Sequence, residues 1–219
     1  MGRFSAENLS HAVLYVLALI MSVAVHEFGH AYVADRLGDR VARSQGRVTL
    51  NPLAHIDPIG TLFFPLIGAL FQMPVLGWGR PVETSLSARW VPRWMTMRTA
   101  HLFVSIAGPA MNIVLALILG VPYVLLLKAG RAGEAQLVAY LVVMNVGLCF
   151  FNLIPIPPLD GRSILFWFFD DRHPVAQFLT QYGQFIFLAM LVAGAFRVVL
   201  IPANYFALGW LQLLSRLAL

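Results

Sequence analysis

Residues 8–30 read NLSHAVLYVLALIMSVAVHEFGH, an apolar run that ends in His26-Glu27-Phe28-Gly29-His30. From residue 8 to residue 26 there is no Asp, Glu, Lys or Arg. A helix needs roughly 20 such residues to cross the hydrocarbon core of a bilayer. The run therefore predicts a membrane helix from about residue 9 to residue 37, with Gly38 as its stop. It also places three ionisable side chains at the inner end of that helix. A charged side chain at bilayer depth costs roughly 2.5 kcal/mol or more, so such residues are functional by default.

The rest of the chain repeats the pattern. Of 219 residues, 59% are hydrophobic and only 11% charged, too few to clothe a soluble core of this size. Residues 58–79, 99–127, 135–159, 174–196 and 198–215 are also free of Asp, Glu, Lys and Arg. Roughly four to six spans are available, and almost nothing is left for a separate soluble domain. The fold class expected is an all-α polytopic membrane protein. Residues 1–219 read as one membrane-embedded unit, with a core at about 9–165 and C-terminal helices at about 174–219.

Charge and cysteine content exclude other classes. The formal charge is +5, but the basic residues sit in short loops beside apolar runs, as cytoplasmic Lys and Arg do, so no nucleic-acid partner is expected. The single cysteine, Cys149, allows neither an internal disulfide nor a Cys-based zinc site. Arg3, the apolar stretch and Ser22-Val23-Ala24 imitate a signal peptide. Cleavage there would sever the helix just before its most informative residues, so the segment is expected to be retained.

Residues 58–79 are long enough to span, yet hold Gly60, Pro65, Gly68, Pro74 and Gly77. The loop before them carries Arg36, Arg40, Arg43 and Arg47, and the loop after them Arg80, Arg89, Arg93 and Arg98. Two basic loops favour one side of the membrane, which makes 58–79 a re-entrant segment. Residues 41–50 alternate in part and are expected to form a short hairpin or edge strand able to hold an extended substrate. Trp78, Trp90 and Trp94 are expected to mark a membrane interface.

His26, Glu27 and His30 fit the HExxH pattern. Helical positions four apart lie about 40° apart around the axis, so both imidazoles can reach one metal ion. Glu27, beside them, can act as base towards a water. Zinc suits two imidazoles, one carboxylate and an open position. By chance such a short pattern arises readily in a soluble protein; in an apolar helix the cost of burial argues against chance.

A third ligand is required. Asp160 ends the stretch NLIPIPPLDG at 152–161, where prolines halt the preceding helix. Irregular backbone at membrane depth is tolerated only where it is buried in protein or lines a wet cavity. An ordinary Asp-Gly turn explains the residue equally well when it is considered alone. Topology favours the ligand: with 58–79 re-entrant, His26, His30 and Asp160 reach the same cytoplasmic face.

HEFGH and NLIPIPPLDG together resemble the site-2 protease family of intramembrane zinc metalloproteases. AGPAMN at 107–112 resembles that family's Gly-Pro-x-x-Asn stretch. The resemblance implies a three-helix catalytic core, one Zn²⁺ per chain with Asp160 as third ligand, and hydrolysis of peptide bonds in transmembrane protein or peptide substrates within the lipid bilayer. NPLAHIDP at 51–58 and GWGRPV at 77–82 resemble a compact subgroup without PDZ or CBS domain. Arg162 follows Asp160-Gly161 where many relatives have a further Gly. A multi-pass location in a prokaryotic cell membrane is the expectation, with the active site towards the cytoplasm.

Four further residues are candidates. Asn112 is expected to hold the substrate backbone or the developing oxyanion. The alternative is a polar contact between helices, worth about 0.6 kcal/mol. Asn152 either acts similarly or caps the broken helix. His55 is a candidate proton carrier, alternative ligand or support to a ligand. Asp57 either orients an imidazole or sets a turn before Pro58. Two rivals remain: an inactive substrate-binding relative, and a metal transporter, which needs polar residues along a path across the bilayer rather than at one depth.

Overall fold

The structure is a computed structural model that describes residues 6–70, 77–87 and 89–218; side chains are described from residue 13, those of residues 69 and 70 excepted. Arg3 and Pro74 lie outside the described residues. Every regular element among them is helical, and five helices are long and apolar enough to cross a membrane.

Helix α1 (Ala6–Arg36) carries HEFGH in its last third and stops at Gly38, whose φ of 92° is open to glycine at little cost. A single turn, α2 (Val41–Ser44), follows. Next come a 3₁₀ turn (Pro52–Ala54), a π-helical stretch (Pro58–Phe63) and α3 (Phe64–Leu70). Helix α4 (Met97–Lys128), α5 (Ala132–Asn152), α6 (Arg162–Phe168), α7 (Pro174–Val192), α8 (Phe196–Val199) and α9 (Ile201–Ala218) complete the chain.

The long central helix organises the bundle. At 1.5 Å per residue, α4 is roughly 48 Å long, more than a hydrocarbon core needs. Gly130, with φ of 71°, ends it, and the Arg131 N–H closes the turn on Leu126 O at 2.9 Å. The chain thus reverses directly into α5. Helix α4 packs against both α1 and α5, which also touch each other. On the far side Ala116, Ala139, Val142, Val146, Ala203, Ala207 and Leu211 join α4, α5 and α9 in one buried cluster. Small residues there let backbones approach, which is how helices associate in lipid. Outward faces keep Leu17, Ile118, Leu125, Phe185 and Val192 exposed, as bilayer solvent requires.

The segment expected to re-enter does turn back. The described helical part, residues 58–70, is shorter than a span. The Trp78 N–H donates to Gly60 O at 3.2 Å and the Arg80 N–H to His55 O at 2.9 Å. Both ends of the segment therefore lie side by side. Trp78 packs over Gly60 and against Phe64, with ring centroids 5.5 Å apart, so it braces this segment, yet like Trp90 and Trp94 it keeps an exposed face.

The strand expected at 41–50 is absent. Asp39 Oδ1 accepts from the Val41 N–H at 2.9 Å and starts a helical turn instead. The Arg43 guanidinium grips Asp35 through two 2.6 Å bonds, and Gly46 at φ 68° ends the turn. Partial alternation lost to local side-chain bonding. No strand exists among the described residues to pair with it.

Candidate metal centre

Helix α1 sends His26 and His30 towards α4 and Glu27 towards the segment at 79–82, and all three are buried. Two glycines make the approach possible. A Cβ on Gly29 would lie 2.5 Å from Ala107 O, so the absence of a side chain there sets how closely α1 and α4 cross. A Cβ on Gly108 would overlap His30 Nε2 and lie 2.8 Å from His26 Nε2. Gly108 therefore makes the space in which the two imidazole tips meet.

Asp160 arrives from the other direction. Asn152 ends α5, and its carbonyl accepts from the Gly161 N–H at 2.6 Å, closing the proline-rich loop on the helix end. A Cβ on Gly161 would collide with the carbonyls of Leu153 and Ile154. Helix α7 braces the loop from outside, where Gly183 packs on the Pro157 ring.

These elements bring three ligand atoms into one triangle. His26 Nε2 and His30 Nε2 are 3.0 Å apart, and Asp160 Oδ2 lies 3.1 and 3.2 Å from them. The other ring nitrogens reveal the tautomers. His30 Nδ1 lies 2.7 Å from Val104 O, a group that only accepts, so Nδ1 carries the hydrogen. His26 Nδ1 lies 2.7 Å from Asn112 Oδ1. Both hydrogens of the Asn112 amide are used elsewhere, on Ser22 O at 3.1 Å and Asn145 Oδ1 at 2.9 Å. His26 therefore also donates from Nδ1.

In their neutral form both imidazoles thus present bare Nε2 lone pairs to each other and to a carboxylate oxygen. Asp160 Oδ2 is buried without a hydrogen-bond donor of its own. One extra proton would bridge one edge of the triangle, not three. A cation resolves all three. The edges of a zinc tetrahedron with bonds near 2.0 Å are about 3.3 Å, close to those found here. His26, His30 and Asp160 are the group among the described residues whose ligand atoms could hold a metal. The donor set fits zinc.

Glu27 stands beside the triangle, and its Oε2 accepts from the Val82 N–H at 3.1 Å. Val82 lies on the extended return leg of the re-entrant segment. Arg47, itself buried, fastens that leg: its guanidinium donates to Ala54 O, to Arg80 O at 2.5 Å and to Pro81 O at 3.0 Å.

The remaining expected residues fall elsewhere. Asn112 has no amide hydrogen left for a substrate oxygen, so the oxyanion role gives way to a hold on His26. Asn152 Nδ2 bonds Leu148 O of its own helix at 3.0 Å and does not join the triangle. Asp57 caps the π-helical stretch, accepting from the Ile59 and Gly60 N–H groups at 3.0 and 2.6 Å, and orients no imidazole. His55 donates from Nε2 to Thr49 O at 2.9 Å and does not join the triangle. Burial pushes its pKa below the ordinary value, with the nearby Arg47 charge adding to the effect against the Thr49 carbonyl and Glu27. Ser22, Asn145, Gly108, Arg47 and Val82 were given no role at the centre from the sequence, although Gly108 and Val82 lie in the quoted AGPAMN and GWGRPV stretches. Of these, Asn145 had a signal, as a lone amide in the middle of an apolar helix.

Among known proteins, the chain is similar to several named as zinc metalloproteases. "Putative zinc metalloprotease YwhC" of Bacillus subtilis is 37% identical over 214 residues, covering 92% of this chain and 90% of its own length. "Putative zinc metalloprotease Rip2" of Mycolicibacterium smegmatis is 38% identical over 168 residues, 72% of this chain and 59% of the relative. The Mycobacterium tuberculosis protein of the same name is 30% identical over 205 residues, 88% of this chain and 74% of the relative. No solved structure matches the chain. The family model of Peptidase family M50 matches residues 14–129 and 124–194. With that match over most of its length, and with membrane-spanning helices around a zinc-competent donor triangle, the chain belongs to peptidase family M50, the site-2 protease family of membrane zinc metalloproteases.

Proposed function

We propose that this chain hydrolyses peptide bonds inside membrane-embedded segments of substrate proteins, using one zinc ion per chain held by His26, His30 and Asp160. The observation that carries the reading is the convergence of three lone-pair atoms, 3.0–3.2 Å apart, beside Glu27. When bound, zinc supplies a Lewis acid that polarises a scissile carbonyl and acidifies water. Glu27 takes the proton from the attacking water and delivers it to the leaving amine. Val82 holds one carboxylate oxygen, which leaves Oε1 free for that traffic. Asn112 and the Val104 carbonyl keep His26 and His30 in the tautomer that faces the metal.

Access for an apolar segment is available from the lipid side. A groove of about 880 Å³ lies between α1 and α5, lined by Leu17, Met21, Met144, Leu148 and Phe151. It also touches Ser22, one helical turn before His26. The arginine-rich loops that flank the re-entrant segment support a cytoplasmic-facing centre in a bacterial cell membrane.

The test is cleavage of a panel of single-span membrane substrates by purified wild type and Glu27→Gln, with bound zinc measured in both. Cleavage by wild type alone, at equal zinc content, is expected. Equal cleavage by both would remove Glu27 as the base, and a folded wild type without zinc would remove the metal site.

A further inference from the structure

The hydrogen-bond chain that starts at His26 does not stop at Asn112. Asn112 on α4 passes it to Asn145 on α5, which passes it to Ser22 on α1. All three side chains are fully buried, at 0% exposure, in the apolar middle of the bundle. Every polar atom among them is used. Asn145 Nδ2 donates to Ser22 Oγ and to Leu141 O, each at 2.9 Å, and Ser22 Oγ donates to Ala18 O at 2.8 Å.

The direction of this chain is fixed from its far end. The carbonyls of Ala18 and Leu141 only accept. Ser22 therefore spends its hydrogen on Ala18 O at 2.8 Å or the Met144 sulfur at 3.8 Å, and Asn145 one of its two on Leu141. Ser22 Oγ then accepts the second Asn145 hydrogen, and Asn145 Oδ1 is left facing Asn112 as an acceptor. An Asn112 amide turned by 180° would set its oxygen against Asn145 Oδ1 and Ser22 O, with no hydrogen between them. The same turn would point Nδ2 at His26 Nδ1 and drive the imidazole hydrogen to Nε2. His26 Nε2 would then have no lone pair for a metal.

We propose that Asn145 is a positioning residue of the metal centre: through Asn112 it locks His26 in the Nδ1–H tautomer, with the Nε2 lone pair aimed at the metal. The proposal rests on His26 being a zinc ligand. A plain contribution to helix association is the competing explanation, at about 0.6 kcal/mol for an average interhelical hydrogen bond in a membrane protein. That contribution would be indifferent to which way the Asn112 amide faces. The neighbouring α4–α5–α9 contact is made by Ala116, Ala139, Val142 and Ala203 without polar help.

The experiment measures Zn²⁺ affinity of the full chain in detergent by competition with a chelator. Wild type, Asn145→Ala, Asn112→Ala and the double variant are compared, with His26→Ala and Val142→Ala as controls. Asn145→Ala should weaken zinc about tenfold, at the low end of what loss of an outer partner costs a metal site. The double variant should be no weaker than Asn112→Ala, because Asn145 acts through Asn112. Val142→Ala, buried on the same helix, should lower the melting temperature and leave zinc affinity intact. In the zinc-free protein, ¹⁵N shifts of His26 should report Nδ1–H in wild type and a tautomer mixture in Asn145→Ala. Unchanged affinity and an unchanged tautomer in Asn145→Ala would overturn the proposal, as would strictly additive losses. Should Asn145→Ala fail to fold, Asn145→Ser is judged by the same criteria. If His26→Ala binds zinc as wild type does, the metal-site reading itself has failed. If His26→Ala loses zinc and Asn145→Ala does not, only the positioning role has.

Discussion

The Val82 N–H sits 3.1 Å from Glu27 Oε2, so the side chain beside the donor triangle is held by the backbone of the re-entrant segment's return leg. The Arg47 guanidinium secures that leg by spanning three carbonyls from two loops. A planar fork does this and a single ammonium does not. Val82→Pro removes the donor while Val82→Ala keeps it. Val82→Pro is expected to lower kcat about tenfold, a part of the hundredfold or more that a positioned base contributes. KM and zinc content should stay unchanged, and Val82→Ala should behave as wild type. Arg47→Lys should follow Val82→Pro. Steady-state kinetics with zinc analysis checks both; equal kcat for the Pro and Ala variants would release Glu27 from this hold.

Two helical glycines should respond to alanine with opposite signs. A methyl on Gly108 overlaps His30 Nε2, in a ring that the Val104 carbonyl holds through Nδ1 at 2.7 Å. Gly147, on α5, has nothing within 4 Å of where its Cβ would stand. Gly108→Ala is expected to weaken zinc binding by a hundredfold or so, the upper range for disrupted support of a metal site. Gly147→Ala should leave zinc untouched and raise stability by up to about 1 kcal/mol, the helix preference of Ala over Gly. Chelator competition and thermal melts in detergent read the two effects.

Much of the architecture was legible because lipid simplifies the code. Charge-free runs located the five long helices, and arginines on either side of residues 58–79 anticipated a segment that turns back. The donor triangle was legible in part. HExxH spacing speaks for itself on a helix, and the broken proline stretch pointed at Asp160. What escaped was set by tertiary direction. Residues 41–50 show a strand-like pattern, but Asp35 and Asp39 bond to that stretch and fold it into a turn. Asn112 reads as a free amide until Ser22 and Asn145, distant in sequence, are seen to take both its hydrogens. Arg47 reads as one more interfacial arginine until three carbonyls close around it. None of these partners is encoded in spacing along one element.

His55 makes the loop that carries Asp57 sensitive to acid. It is 1% exposed, bonded to Thr49 O, and its pKa lies below the ordinary 6.5 because of burial, with Arg47 adding to the shift against the Thr49 carbonyl and Glu27. Above pH 6.5 the imidazole is neutral in folded and unfolded chain alike, and the native loop keeps its full stability. As pH falls below 6.5 the unfolded chain takes up a proton that the folded loop resists. Stability then declines until the lowered pKa is passed, by at most about 1.4 kcal/mol per pH unit. Melting temperatures of wild type and His55→Gln between pH 7.5 and 5 check this: wild type should lose more, and parallel curves would show that His55 does not titrate differently on folding.

Gly161 tests whether the loop after α5 is a rigid ligand arm or a passive linker. Its N–H bonds the Asn152 carbonyl at 2.6 Å, and the carbonyls of Leu153 and Ile154 fill the space a Cβ would take. Backbone atoms cannot rotate aside as a flexible side chain can, so Gly161→Ala must open the loop. Asp160 is the adjacent residue, and a shift of its carboxylate by even 1 Å breaks a triangle whose edges are 3.0–3.2 Å. The expected outcome is loss of zinc together with a drop in stability of about 1–3 kcal/mol from the strained or unpaired backbone. Asp160→Asn separates the two effects. It keeps shape and loop bonding while removing the charge, so it should lose zinc affinity with the loop intact. Limited proteolysis of the 153–161 stretch distinguishes them: accelerated cutting in Gly161→Ala and unchanged cutting in Asp160→Asn is expected, whereas wild-type zinc affinity in Gly161→Ala would mean that the loop does not set the position of Asp160.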